Sequence, residues 1–161
     1  MNAEAFRHFY NYHFTENRKI WDTYVTHLSN EQFTHAVDYS HGSVRGQMCH
    51  IISVDDGWFS DLRGVPSLDD PDDLPDRASL RAHWDTVEQH MRDYLAALHD
   101  AMLATKPLSG EDKDLLLWQV LLHVVNHGTD HRAQLLRLLH DLGVTTTSQD
   151  YVFYTYANVR D

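Results

Sequence analysis

The sequence predicts an all-α protein built as a four-helix bundle, and three observations predict it. Four long segments carry apolar residues at three- and four-residue intervals. Gly, Pro and polar clusters punctuate the chain between them. The 161 residues, 42% hydrophobic and 11% aromatic, supply enough apolar material for one globular domain spanning 1–161. Helices of roughly 20 to 30 residues with short links satisfy all three.

The first helix is expected from about Asn2 to Leu28, with Phe6, Phe9, His13, Asn17, Ile20, Tyr24 and Leu28 along one face. Ser29 to Gln32 reads as a capping box opening a short turn. Ser43 is the expected N-cap of a second helix from Val44 to about Leu62, stopped by the Arg63-Gly64-Val65-Pro66 run. The next connection, 67–76, holds five aspartates and two prolines and lacks calcium-loop spacing, so it reads as a solvated surface loop. A third helix is expected over about Ala78 to Ala104, its stripe formed by Trp84, Val87, Met91, Leu95, Leu98 and Met102. The fourth is expected to start near Glu111, with Glu111, Asp112 and Asp114 in its positive first turn, and to end at Gly143. The tail, 144–161, with Tyr151, Phe153, Tyr154 and Tyr156, is too aromatic to be free in water; it is expected over one end of the bundle or at a dimer contact.

Charge narrows the partners. Lys plus Arg number 13 against 24 Asp plus Glu, a formal charge of −11 with 13 neutral histidines. Binding through phosphates rests on clustered Lys and Arg, so neither nucleic acid nor an anionic membrane is an expected partner. The first residues hold no secretory signal, and the longest apolar stretch, Leu115 to Val125, is interrupted by Gln119 and His123 and too short to span a bilayer. A single cysteine, Cys49, excludes an internal disulfide; a cytoplasmic protein is expected.

Histidine is the compositional outlier. At 13 in 161 residues, about one His-x-x-x-His pair is expected by chance, but a run of three only about 0.08 times. His123, His127 and His131 form such a run. Each step of four residues turns a helix by about 40°, so the three share one face, and Val120, Gln134, Leu135 and Leu138 in the same sector predict that the rings point inward. Core imidazoles need partners for both ring nitrogens, which a metal with an outer acceptor supplies. His123 and His131 are about 12 Å apart along the axis, too far for one ion. The pair is therefore His123 with His127 or His127 with His131, and His50 of the second helix, flanked by Gly46, Ser53, Val54 and Gly57, is the best third ligand. Cys49 points about 100° away from His50 and reads as a small buried residue. Asp130 and Gln134 are candidates for orienting an imidazole. The remaining histidines, His13 and His41 among them, read as solvent-facing or partly packed. No Glu lies between the paired histidines as in zinc proteases, and there is no nucleophile elbow or phosphate-cradling glycine loop.

Tyr10-Asn11, Asn17-Arg18, Ser43-Val-Arg-Gly46 leading to His50 and Trp58, the block His123-Val-Val-Asn-His127-Gly-Thr-Asp-His131-Arg-Ala-Gln134, and the Leu142-Gly143 and Asp150-Tyr151 tail together resemble the DinB/YfiT-like family of metal-binding four-helix bundles. Ala133 stands where that family usually has Gly. The resemblance implies a bundle with long crossover connections, usually dimeric, with His50, His127 and His131 as metal ligands and His123 as a neighbour. It further implies zinc or nickel as the ion and, by analogy with thiol S-transferases, a low-molecular-weight thiol as cosubstrate for a small-molecule reaction. A metal-dependent hydrolase and a non-enzymatic metal-binding or stress-response protein are the alternative expectations.

Overall fold

A computed structural model describes residues 1–158; the last three positions of the expected tail, 159–161, lie outside the described residues. Among the described residues the chain is all-helical, with four long helices, α1 (Ala3–Thr23), α3 (Val44–Arg63), α4 (Arg77–Ala97) and α5 (Leu117–Asp141), and two short ones, α2 (Asn30–Thr34) and α6 (Tyr151–Asn158). None of them is long and apolar enough to cross a membrane.

The long helices close a ring in the order α1, α4, α3, α5, each packing on two neighbours. Only α3 and α4 are neighbours both in sequence and in this ring. The connections 24–43 and 98–116 therefore cross diagonals of the bundle, which are the expected long crossovers. One apolar cluster fills the centre, with Phe6, Tyr10, Ile52, Leu80, Met91 and Leu121 among its most buried members.

Helix starts follow local chemistry. Asn2 Oδ1 accepts from Ala5 N at 2.8 Å, Ser43 Oγ from Gly46 N at 2.9 Å, and Asp76 Oδ1 from Ser79 N at 2.7 Å, each satisfying a first-turn N–H that has no partner within its helix. The Ser29 capping box closes in both directions, through Gln32 N to Ser29 Oγ and Ser29 N to Gln32 Oε1. Gly64, at φ 66°, ends α3 in the left-handed conformation that suits glycine.

Three boundaries differ from the periodicity, each for a tertiary reason. Helix α1 stops at Thr23, and a 3₁₀ turn over Val25–His27 replaces its expected last turn. The Tyr24 hydroxyl there accepts from Thr147 N at 2.9 Å, tying the turn to the segment after α5. Helix α4 stops at Ala97 instead of Ala104. Arg7 donates to the Leu98 carbonyl at 2.9 Å, and Asp100 Oδ1 accepts from Ala3 N at 2.7 Å, so the chain is drawn off its helical path to cap the start of α1. Helix α5 begins at Leu117, six residues after the expected start. Its first amides donate outward, Leu117 N to Thr105 O at 2.9 Å and Trp118 N to Leu103 O at 3.2 Å, while Glu111 and Asp112 lie in a separate 3₁₀ turn.

All five aspartates of the 67–76 loop are exposed, in agreement with a solvated connection, and buried Pro71 anchors it. The tail packs along α1: Tyr151 and Tyr154 set ring edges against His8 and Tyr12, and Tyr12 Oη donates to Gln149 O at 2.8 Å. Val152, Phe153 and Tyr156 face outward.

Candidate metal centre

The buried ridge of α5 runs through Leu117, Leu121, Val124, Gly128, Arg132, Leu135 and Leu139. His123, His127 and His131 each sit one position before a member of that ridge, turned about 100° from it. They therefore stand at the edge of the bundle, in the groove toward α3, and not in its centre as the shared sector predicted. His127 and His131 are half-buried and His123 is exposed, its ring against Trp58 at a 5.3 Å centroid distance.

Helix α3 brings His50 to this groove. His50 Nε2 and His127 Nε2 face each other at 3.0 Å, and the His50 ring lies 4.4 Å from that of His131. The His127 and His131 rings are 4.1 Å apart. The rings of His50, His127 and His131 thus lie near one another, but His127 is not in the triad whose ligand atoms come together. A fourth ring joins them: His41, in the loop before α3, stacks on His50 at 3.6 Å with 15° between the planes. Ligand atoms of His41, His50 and His131 all lie within 4.8 Å of one another. His41 is exposed, as expected of the remaining histidines, and lies over the cluster.

Burial, followed by the neighbouring histidines, lowers the His50 pKa to about 4 and the His127 pKa to about 3. His131 is lowered by burial and by His41, with Asp130 acting in the opposite direction. The rings are therefore neutral at pH 7, the form that offers a lone pair to an ion.

Gln47 is the orienting residue that sequence reasoning missed. Fully buried one turn before His50, its amide nitrogen lies 2.7 Å from His131 Nδ1, and its Oε1 accepts from Ser40 Oγ at 2.7 Å. Ser40 Oγ also contacts Gln134 Oε1. One hydroxyl hydrogen serves only one of two carbonyl oxygens. The hydrogen goes to Gln47, because the same amide's Nε2 also donates to the His131 backbone oxygen at 3.1 Å, which holds Oε1 on the Ser40 side and aims Nε2 at His131 Nδ1. The signal was legible as Gln47 and His50 three residues apart on one helix face. Gln134 instead bonds Asp130, Nε2 to Oδ2 at 3.0 Å, and contacts the His41 loop; neither residue hydrogen-bonds an imidazole.

This donor set fits a divalent ion. Tetrahedral Zn–N bonds of about 2.0–2.1 Å place ligand nitrogens about 3.3 Å apart, close to the 3.0 Å between His50 and His127. His127 Nδ1 is buried with no hydrogen-bond partner among the described residues, so an ion on Nε2 would leave that N–H without the acceptor such rings usually have. Cys49 takes no part: it is 1% exposed, directs its thiol at Pro71 O at 3.6 Å, and burial pushes it up to about 12. A thiol this buried is expected to stay unmodified by Ellman's reagent in folded protein and to react at once in denaturant; rapid native labelling would contradict the placement.

Behind the groove lies a second histidine, one expected on the apolar face of the first helix and counted among the solvent-facing or partly packed rings. His13 is fully buried. Arg132 donates from one NH group to His13 Nδ1 at 3.1 Å and to Asn17 Oδ1 at 2.9 Å. Because a guanidinium only donates, the His13 proton sits on Nε2, facing Asp55 Oδ2 at 3.0 Å. A neutral imidazole thus bridges a buried cation and a buried carboxylate. Gly128 makes this possible, since a Cβ there would lie 2.3 Å from His13 Cε1. Arg132 also donates to Thr129 Oγ1 and to Gln149 Oε1, joining the bundle to its tail.

Between α1, α5 and the tail opens a cleft of about 840 Å³, with Phe9, Tyr12 and Tyr151 as aromatic walls and His127, Asn126 and Asp130 as polar ones. His127 belongs to both the cleft and the cluster.

The DinB family model matches residues 1–161. Protein DinB of Bacillus subtilis (strain 168) is 24% identical over 169 aligned positions, covering 97% of this chain and 96% of that protein.

Proposed function

Since the chain belongs to the DinB family, and since its imidazoles converge beside an open cleft, we propose that it is a metal-dependent transferase joining a low-molecular-weight thiol to a small electrophile. The observation that carries the reading is the histidine cluster reached from that cleft through His127, with the chain's one cysteine turned away from it. A divalent zinc or nickel ion at this position would supply the charge that keeps a thiol ionised at neutral pH.

His50, His127 and His131 are the residues that would hold it, and Gln47 fixes the ring of His131. The aromatic walls formed by Phe9, Tyr12 and Tyr151 favour an apolar electrophile, which Asn126 and Asp130 orient from the other side. The thiol sulfur forms the new S–C bond, the leaving group departs with the electron pair of the bond it breaks, and the thiol proton passes to solvent. Holding both reactants in one cleft removes the entropy of bringing them together.

The test is a panel of small thiols with a chromogenic electrophile, run on zinc- or nickel-loaded protein. Acceleration that requires both thiol and metal and vanishes in His50→Ala is expected. No acceleration with any thiol would overturn the reading. Turnover independent of thiol and lost in His127→Ala would assign a hydrolase instead, and tight metal binding without turnover would assign a metal-binding or stress-response role.

A further inference from the structure

We propose that His41 is a fourth, loop-borne imidazole ligand that closes the coordination of the histidine centre and yields its place to an incoming anionic ligand. This rests on the reading of the cluster as a metal centre and extends it from three ligands to four.

The loop that carries His41 is built to hold it there. Ser40 adopts φ 49°, a left-handed conformation that a residue with a Cβ rarely takes, and Gly42 follows at φ 74°. Two backbone bonds close the turn, Val37 N to Gly42 O at 2.8 Å and Gly42 N to Tyr39 O at 3.0 Å. Its seat on α3 exists because position 46 has no side chain: a Cβ on Gly46 would lie 2.1 Å from the His41 carbonyl oxygen. The hollow that Gly46 leaves in front of His50 is therefore filled by the backbone of His41. Ser40 adds a direct link to the cluster, since it bonds the Gln47 that orients His131. The loop and a ligand on α5 thus share one hydrogen-bond chain.

What this placement does follows from coordination chemistry. Three imidazoles with an open position make a reactive site, whereas four protein ligands make a closed one. With its ligand atom within 4.8 Å of those of His50 and His131, His41 is placed to convert one into the other. It is also the exposed member of the set. A thiolate competes with a neutral imidazole at a dication through its charge, and only the loop has to move.

The experiment uses full-length protein purified without an affinity tag, stripped and reloaded with cobalt(II) or zinc. Wild type is expected to show the strong visible d–d absorption of four-coordinate cobalt, and zinc X-ray absorption is expected to count four imidazoles. His41→Ala should give the weaker spectrum of a more open, water-filled site, three imidazoles, and zinc affinity lowered about 10-fold or more. Gly46→Ala leaves every imidazole in the chain but expels the loop, and should reproduce the His41→Ala spectrum. Adding 2-mercaptoethanol to cobalt-loaded wild type should produce a sulfur-to-cobalt charge-transfer band as one imidazole leaves. Equal imidazole counts and equal affinities in wild type and His41→Ala would overturn the proposal while leaving the metal centre in place. Absence of metal binding by wild type would overturn both.

Discussion

Zinc added to chelator-stripped protein is expected to raise its melting temperature by roughly 8–16 °C at free zinc about a thousand times the dissociation constant. The ion binds only where the rings converge, and an unfolded chain does not bring together residues as distant in sequence as His50 and His127. At that excess the linkage amounts to about 4 kcal/mol, and for a chain of this length each kcal/mol moves the midpoint by about 2–4 °C. In His50→Ala the zinc-induced shift should shrink to less than about 2 °C, because α3 then supplies no ligand. The stripped variant should melt close to stripped wild type, since the half-buried ring of His50 leaves little cavity. Scanning fluorimetry with EDTA and with zinc measures both quantities. Identical wild-type melting in the two conditions would refute the centre itself.

The second large effect is on stability alone. Replacing Arg132 with Leu keeps most of the volume but removes the donor to His13 Nδ1, Asn17 Oδ1, Thr129 Oγ1 and Gln149 Oε1. It also leaves the buried carboxylate of Asp55 facing His13 with no cation beyond it. Removing one member of such a buried set costs about 3–5 kcal/mol, or a fall in melting temperature of roughly 6–20 °C. Arg137→Leu is the control. Arg137 is an exposed arginine on the same helix, paired with Asp141, and its loss should change stability by less than about 0.5 kcal/mol. Urea unfolding compares the two, and equal losses would show that the interior pairing contributes nothing specific. Limited proteolysis should also cut Arg132→Leu faster around Gln149, which loses its hold on the bundle.

Much of the architecture was legible because local signals and tertiary packing agree. The capping box at Ser29, the caps at Ser43 and Gly143, and the apolar stripes of α1, α3 and α4 all lie where their residue types place them. Legibility failed where a distant partner decides. Glu111, Asp112 and Asp114 have the composition of a helix start, yet carbonyls of Thr105 and Leu103 take the amides that define the real one. The histidine run was read correctly as a shared face, but the ridge beside it holds Gly128, whose missing side chain admits His13 from α1. His13 itself lies on the apolar stripe of α1, and besides Asn17 one turn along, its partners Arg132 and Asp55 come from two other helices. His41 has no periodicity to betray it, because it sits in a loop whose position depends on Gly46 and Ser40.

The arginine at the middle of α5 also bears on how the chain assembles during synthesis. Its partner His13 precedes it by 119 positions, and the Tyr10 hydroxyl reaches a carbonyl 111 positions later. Helix α1 therefore leaves the ribosome with a polar interior face that Asp55 of α3 can engage early but whose Arg132 and Leu121 partners arrive only with α5. Such non-local pairing slows folding relative to a bundle of sequential hairpins. The pairing of α1 and the histidine groove are consequently completed only once α5 is in place.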